Sequence, residues 1–163
     1  MGAHMNVMTA STPSIATDLE RIAETTANSC IATRVRQLSR IVTRVYDDAM
    51  RPLGITASQF TLLTQLASRD GITAVEIGGD LDIEKSTLSR NLKRMLALNL
   101  ITMDPPAGRR GRGLHLTPKG QAVIKEAYPV WLGAQQRAVS FMGPETRATL
   151  DGLLGSAERL VTD

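Results

Sequence analysis

The chain has very few of the residues that carry chemistry in enzymes. Its 163 residues include one cysteine, Cys30, and two histidines, of which His4 lies in an N-terminal MGAHM stretch typical of an expression-tag remnant. A single cysteine excludes an internal disulfide and fits a reducing compartment. The sequence contains no His, Cys, Asp or Glu cluster at metal-site spacing and no glycine-rich phosphate loop. We therefore predict a protein that is not an enzyme and has no catalytic residues, metal site or cofactor.

Long apolar runs and aromatic residues are scarce as well. No stretch approaches the roughly 18 apolar residues of a membrane helix, and no basic segment precedes an apolar one at the N-terminus, as in a secretion signal. We therefore expect a cytoplasmic protein without a membrane partner. Aromatic residues make up 3% of the chain against 42% hydrophobic residues, so the core should consist mainly of aliphatic side chains on helices.

Positive charge is concentrated in one segment of the chain. From Glu84 to Gly120 there are eight Lys and Arg residues and two acids, which gives a local charge of +6. Since the whole chain has a net charge of +3, the remainder carries about −3. A basic segment of this kind is the electrostatic signature of a protein that binds a phosphate backbone.

The basic segment and the residues before it predict two short helices and a two-stranded hairpin. Thr73 and Glu76 form a capping box at the start of the first helix, and Asn99 stands where the second should end, because asparagine tolerates the left-handed conformation of a helix C-cap. Pro-Pro and three glycines exclude a helix at 105–113, and strands are predicted at 100–103 and 114–116. In the second helix, four apolar residues recur at helical spacing and leave the other faces polar: Leu88, Leu92, Met95 and Leu96.

Further helices are predicted on both sides of this segment. A short apolar stripe from Ile15 predicts a small helix, 28–50 reads as a long helix, and 56–68 begins with a Thr56–Gln59 capping box. After the hairpin, Thr117 should cap a long helix over 118–142, and a last helix should cover about 150–161. The terminal helices carry more apolar surface than the small basic domain could cover, so we expect them to interleave in a two-fold dimer.

The order of these elements resembles winged-helix transcription factors of the MarR (multiple antibiotic resistance regulator) type. Two departures are Asn99 and Gly108, where the family usually has Gly and Asp, so the wing here is expected to be looser or held by another partner. The residues that carry the resemblance, which extends over about 28–161, are Ser86-Thr87-Leu88-Ser89-Arg90, Leu100-Ile101, Arg109-Arg110 and Leu116-Thr117-Pro118-Lys119-Gly120.

The resemblance implies a mainly α fold with a small β wing. A winged helix-turn-helix DNA-binding domain should occupy 55–117, and a helical dimerisation region should comprise 15–54 and 118–163, after a disordered leader at 1–14. The implied function is a homodimeric, ligand-responsive transcription regulator, expected to be a repressor, that binds an inverted repeat in double-stranded DNA. The candidate DNA-binding residues are Lys85, Ser86, Thr87, Ser89, Arg90, Lys93 and Arg94 on the second helix, and Arg109, Arg110 and Arg112 on the wing.

Members of the family respond more often to small aromatic or phenolic acids than to peroxides. Arg34 falls on the apolar arc of its helix, where a guanidinium needs a carboxylate or an anionic ligand, or reaches the surface along its own stem. The candidate effector-binding residues combine apolar surface with a few polar groups: Arg34, Leu38, Tyr46, Phe60, Leu63, Tyr128 and Trp131.

Two alternative functions compete with this one. One branch of the family senses peroxides through a cysteine, but that cysteine aligns with Ala32, and the two-residue offset to Cys30 turns a helix by about 200°. Winged helices also serve as protein-interaction modules, and a basic helix face is often only solvated.

His115 in the wing is expected to have a structural role rather than a catalytic one.

Overall fold

The computed structural model describes residues 15–106 and 111–162. The chain divides into two compact units, one that ends at Arg40 and one that begins at Ile41. Helix α2 (Ile31–Met50) belongs to both units, because the boundary falls within it. None of the described helices is long and apolar enough to cross a membrane.

The first unit contains helix α1 (Ile15–Ser29) and the first half of α2. The predicted start of the long helix at position 28 is wrong, because residues 28 and 29 still belong to α1. Cys30 separates the two helices: its N–H donates to the carbonyl of Thr26 in α1, and its carbonyl accepts from Arg34 in α2. Since Cys30 closes one helix and opens the next, apolar periodicity alone does not reveal the boundary.

The second unit contains the predicted order of helix, helix and hairpin. After a 3-10 turn at Arg51–Leu53, the elements are α3 (Ala57–Ser68), α4 (Ala74–Asp80), α5 (Lys85–Ala97), β1 (Ile101–Met103), β2 (Leu114–Leu116), α6 (Pro118–Met142) and α7 (Thr146–Thr162). The mainly helical fold with a small two-stranded wing is therefore confirmed. The last helix begins four residues earlier than the sequence predicts.

The helix starts in this unit confirm the capping patterns read from the sequence. Complete capping boxes join Thr56 to Gln59 at α3 and Thr73 to Glu76 at α4. The Thr117 hydroxyl accepts from the N–H of Gly120, which caps α6. A side chain that accepts from the third helical N–H satisfies a donor that the helix itself leaves unpaired.

The hairpin pairs β1 with β2 in antiparallel register, with Thr102 opposite His115. Asn99 has the predicted left-handed backbone, with a φ of 54°. The first strand starts one residue later than predicted, because the N–H of Leu100 still donates to the carbonyl of Met95 in α5 at 3.0 Å. The chain thus passes from the end of α5 into β1 without a separate linker.

The core of the second unit is aliphatic, as the low aromatic content predicts. Phe60 is the one aromatic residue among the buried core residues that the structure describes. The largest fully buried side chains come from α2, α3, α4, α5 and the hairpin: Met50, Leu62, Leu63, Leu66, Ile77, Met95, Leu100, Ile101 and Leu114. This core fixes α5 and the hairpin against α3.

Candidate nucleic-acid interface

Helix α5 has one buried face and one exposed polar face. Leu88, Leu92 and Met95 are buried in the core, at the helical spacing that the sequence shows. All seven α5 residues that are predicted to bind DNA are exposed: Lys85, Ser86, Thr87, Ser89, Arg90, Lys93 and Arg94. Four of them are cations, so the structure brings the predicted contacts together on the solvent side of one 13-residue helix.

The start of α5 depends on two residues that the sequence analysis missed. Asp82 adopts a left-handed backbone with a φ of 48°, which turns the chain from α4 toward α5. Glu84 then caps α5: its Oε2 atom accepts from the N–H groups of Ser86 at 2.9 Å and Thr87 at 3.0 Å. The pattern Asp-x-Glu could have signalled both roles, because aspartate tolerates the left-handed region and an acid suits a helix N-terminus.

Glu84 also binds a side chain of the polar face. The Ser86 hydroxyl donates to the same carboxylate oxygen that accepts from the backbone. These bonds, with that of the Ser86 hydroxyl the largest, hold the pKa of Glu84 below its ordinary value. The carboxylate is therefore ionised at neutral pH and lies at the tip of the exposed helix.

Arg90 is oriented by a neighbour one turn earlier on the same helix. Its Nη2 atom donates to the hydroxyl of Thr87 at 3.3 Å. Because the bond links two exposed side chains, it directs the guanidinium along the helix surface without burying it. This orientation suits a guanidinium that donates two parallel hydrogen bonds to a pair of acceptor atoms.

The structure describes one of the three wing arginines. Arg109 and Arg110, like Gly108, lie outside the described residues. Arg112 is described and exposed, and its Nε atom donates to the backbone carbonyl of Asp104. The backbone of Asp104 thus holds one wing arginine.

His115 ties the wing to the turn that follows α3. Its Nδ1 atom lies 2.9 Å from Asp70 Oδ1, and its Nε2 atom lies 3.0 Å from Asp104 Oδ1. The backbone adds a bond from Gly71 N–H to the Leu114 carbonyl at 3.1 Å. The predicted structural role of His115 is confirmed, whereas both of its carboxylate partners were missed, because they lie 45 and 11 residues away in sequence.

The clamp formed by His115 with Asp70 and Asp104 predicts that the stability of the protein depends on pH. The hydrogen bond to Asp70, followed by that to Asp104, raises the pKa of His115 above its ordinary value. The pKa of His115 in the folded protein therefore exceeds its value of about 6.5 in the unfolded chain. The contribution of these two hydrogen bonds to the free energy of unfolding is fully present below the unfolded pKa, and it is lost as pH rises through the folded pKa. NMR titration of the imidazole should show the raised pKa, and Asp70→Asn should lower it.

Asp48→Asn is the matched control for this titration, since Asp48 pairs with Arg51 and has no bond to His115. It removes the same charge and should leave the pKa of His115 unchanged. An imidazole that titrates at its ordinary pKa in the wild-type protein would contradict the clamp.

Some of the predicted effector-binding residues meet in the second unit. Trp131 lies 6.4 Å from Phe60 and 6.1 Å from Tyr128 between ring centroids, and the latter pair is stacked. Tyr46 donates to Gln135 Oε1 at 2.5 Å. Leu63 is fully buried in the core. A cavity of about 290 Å³ is lined by Tyr46 and Trp131 together with Val42, Thr43, Ala57, Ser58 and Thr61.

The two remaining candidates, Arg34 and Leu38, belong to the first unit. Arg34 is exposed, and its Nη1 atom donates to Gln37 Oε1 at 3.4 Å. Leu38 is 47% exposed. Arg34 therefore reaches solvent along its own stem, as one of the two readings of the sequence allows.

Cys30 is partly exposed between α1 and α2. A hydrogen bond from the Thr33 side chain, followed by one from the Thr33 backbone, lowers the pKa of the thiol. A thiol at the start of a helix is more readily ionised than one in a helix interior.

An apolar groove beside α5 was also missed. Its volume is about 670 Å³, and Lys85, Ser89, Lys93 and Arg112 stand among its lining residues. The apolar part of the lining comes from α4, the turn after it, α5 and β1: Ala74, Val75, Gly78, Ile83, Leu88, Leu92, Leu96 and Met103. No sequence pattern marks it, because it forms only where three elements meet.

Comparison with known proteins gives one consistent result. A family model described as the MarR family matches residues 53–111. The chain is 34% identical over 86 residues to the multiple antibiotic resistance protein MarR of Salmonella typhimurium, a match covering 52% of this chain and 60% of that protein. It is 29% identical over 113 residues to the protein of that name from Escherichia coli K12, covering 68% of this chain and 78% of the other.

Solved structures extend the similarity to most of the chain. The M. tuberculosis transcriptional regulator MosR is 32% identical, with a TM-score of 0.71, covering 81% of this chain and 98% of MosR. A second MosR structure, in complex with DNA, is 30% identical with a TM-score of 0.70 and the same coverage. The similarity to MosR thus spans nearly the whole of that protein, whereas the chain spans only 60% of the length of its Salmonella relative.

Proposed function

Because the chain belongs to the MarR family of transcription regulators, we propose that it binds an inverted-repeat operator as a homodimer and represses transcription until a small aromatic or phenolic acid releases it. The observation that carries this proposal is the exposed face of α5. Four cations and three hydroxyl side chains share that face, and Arg112 of the wing stands beside the same groove as Lys85 and Lys93. Cations supply the phosphate contacts, and the polar side chains of a recognition helix read the base edges in the major groove.

The dimer is supported by apolar side chains left in solvent on the terminal helices. Phe141 on α6 is 89% exposed, and Leu153 and Leu154 on α7 are 61% and 65% exposed. The first unit shows the same feature at Ile31, Val35 and Leu38. Exposed apolar surface of this extent is typical of a protein–protein interface. We therefore propose that 15–54 and 118–163 form the dimer interface and that 55–117 reads DNA.

A footprint on DNA tests the operator proposal. Duplexes selected from a random library should contain an inverted repeat, with two protected half-sites whose centres lie 34–36 Å, or about 10–10.5 base pairs, apart. Sedimentation should give the mass of two chains. Protection of a single half-site by a monomer would contradict the two-fold arrangement.

The effector should bind in the cavity lined by Tyr46 and Trp131. Trp131 is the only tryptophan in the chain, so quenching of its fluorescence reports binding of candidate acids. An effector acts through its different affinity for the DNA-bound and released forms, and operator DNA must weaken effector binding by the same factor, typically 5- to 150-fold.

Arg34 is the control for this cavity, because it belongs to the first unit and reaches solvent. Arg34→Ala should leave both the quenching by carboxylates and DNA binding unchanged. Loss of acid binding in this variant would show that the carboxylate is held by Arg34 and not in the cavity lined by Tyr46 and Trp131.

Redox sensing through Cys30 is the second candidate function. It is favoured by the lowered pKa of that partly exposed thiol, because the thiolate is the form that peroxides oxidise. Release of DNA by peroxide and by no aromatic acid, abolished in Cys30→Ser, would establish it in place of the effector.

A further inference from the structure

The N-terminus of α5 is already occupied by a carboxylate. Two N–H groups at the start of a helix commonly bind an anion such as a DNA phosphate. Here Glu84 Oε2 accepts from the N–H groups of Ser86 and Thr87 at 2.9 and 3.0 Å. The helix tip that would meet the DNA therefore presents a fixed negative charge, which disfavours a phosphate at this point.

The same carboxylate determines which way the Ser86 hydroxyl points. An ionised carboxylate can only accept hydrogen bonds, whereas a serine hydroxyl has one hydrogen to donate and two lone pairs. Because Ser86 donates to Glu84, its hydrogen is engaged by the strongest type of acceptor in the region. Ser86 is exposed, so its oxygen offers acceptor lone pairs to whatever approaches α5.

We propose that Ser86 is a specificity-determining residue that accepts a hydrogen bond from a base amino group in the major groove, and that Glu84 is the positioning residue that fixes this polarity. The inference rests on the proposed function, since it requires α5 to enter the groove. Phosphate oxygens cannot be the partner, because they also only accept. The amino groups in the major groove are N6 of adenine and N4 of cytosine, whereas guanine O6 and thymine O4 are acceptors.

The proposed hydrogen bond determines the base at one position of each operator half-site. In each half-site, the base that faces Ser86 should be adenine or cytosine and not guanine or thymine. A single neutral hydrogen bond gives a preference of about 2- to 10-fold in affinity. Ser86→Ala removes the acceptor and keeps both backbone bonds to Glu84, so the helix cap remains.

The experiment measures binding of the full chain to duplexes in which each operator position is varied in turn. The wild-type protein should prefer adenine or cytosine at one position of each half-site, and Ser86→Ala should reduce the preference there to below about 2-fold while the other positions keep theirs. Glu84→Gln should relax the same position, because a neutral amide no longer obliges Ser86 to donate. Thermal unfolding checks that each variant is folded.

Glu76→Gln is the matched control. Glu76 caps α4 in a similar way, through the N–H of Thr73 at 2.8 Å and its hydroxyl at 2.7 Å. The variant removes the same charge from the neighbouring helix, so it should change the affinity for all duplexes by one factor and leave the base preference unchanged.

The possible outcomes separate this inference from the proposed function. If the wild-type protein shows no preference at any position, both are overturned. If it binds specifically but Ser86→Ala changes no position, or if the affected position does not separate adenine and cytosine on one strand from guanine and thymine, the role of Ser86 is overturned and the proposed function stands. If Glu84→Gln leaves the preference of that position intact, the positioning role of Glu84 is overturned.

Discussion

Replacing Arg90 with alanine should weaken operator binding by about 5- to 150-fold, equivalent to about 1–3 kcal/mol, and relax the choice of base at one position. Arg90 lies one turn beyond Ser86 on the exposed face of α5, and Thr87 orients its guanidinium. A guanidinium can donate two parallel hydrogen bonds to guanine O6 and N7, so its loss should affect specificity as well as affinity. Competition binding between the operator and single-base variants measures both quantities.

Arg137→Ala is the control for this prediction. Arg137 is exposed on α6, and its removal changes the net charge by the same amount. It should leave base preference unchanged and have a small effect on affinity. Equal losses in the two variants would show that α5 contributes only charge.

Replacing Gly120 with alanine should lower the free energy of unfolding by about 1–3 kcal/mol, because an inserted methyl group overpacks the core. A Cβ atom at Gly120 would collide with the backbone carbonyl of Leu100 and lie 3.3 Å from Leu116 Cδ2. The glycine that ends the Leu116-Thr117-Pro118-Lys119-Gly120 motif therefore lets α6 approach the start of the wing. Thermal unfolding at fixed protein concentration should show a fall of roughly 2–4 °C per kcal/mol.

Gly133→Ala in the same helix should have the opposite effect. A Cβ atom there would meet nothing within 4 Å. Since alanine favours a helix over glycine by up to about 1 kcal/mol, this variant should be more stable than the wild-type protein. A loss of stability in both variants would mean that helix α6, and not the contact with Leu100, is sensitive to substitution.

Local sequence patterns predicted the fold where a structure depends on residues three or four positions apart. The capping boxes of α3 and α4, the cap of α6 by Thr117 and the left-handed Asn99 are all of this kind. The two strands also followed from breakers and from a short apolar run on either side. The ends of the elements were predicted less exactly. Leu100 and residues 28 and 29 each lie where two elements meet, and the apolar pattern there fits either element equally well.

Contacts between distant residues could not be predicted in the same way. The clamp of His115 between Asp70 and Asp104 exists only because the hairpin lies beside the turn after α3. The groove beside α5 likewise needs α4, α5 and β1 in place. Glu84 is different, because its position just before the polar helix could have identified it as a cap. The exposed face of α5 was predicted completely, since helical periodicity alone separates its two sides.

Salt-dependent anisotropy with a labelled operator duplex and a random duplex of equal length tests the DNA-binding role of α5 most directly. A protein that neutralises several phosphates releases counterions, so the logarithm of its binding constant should fall steeply and linearly with the logarithm of salt concentration. We expect this slope for both duplexes, with the operator bound more tightly at every salt concentration. Binding that does not change with salt, or equal affinity for the two duplexes, would contradict the DNA-reading role of α5 and favour a protein-interaction module.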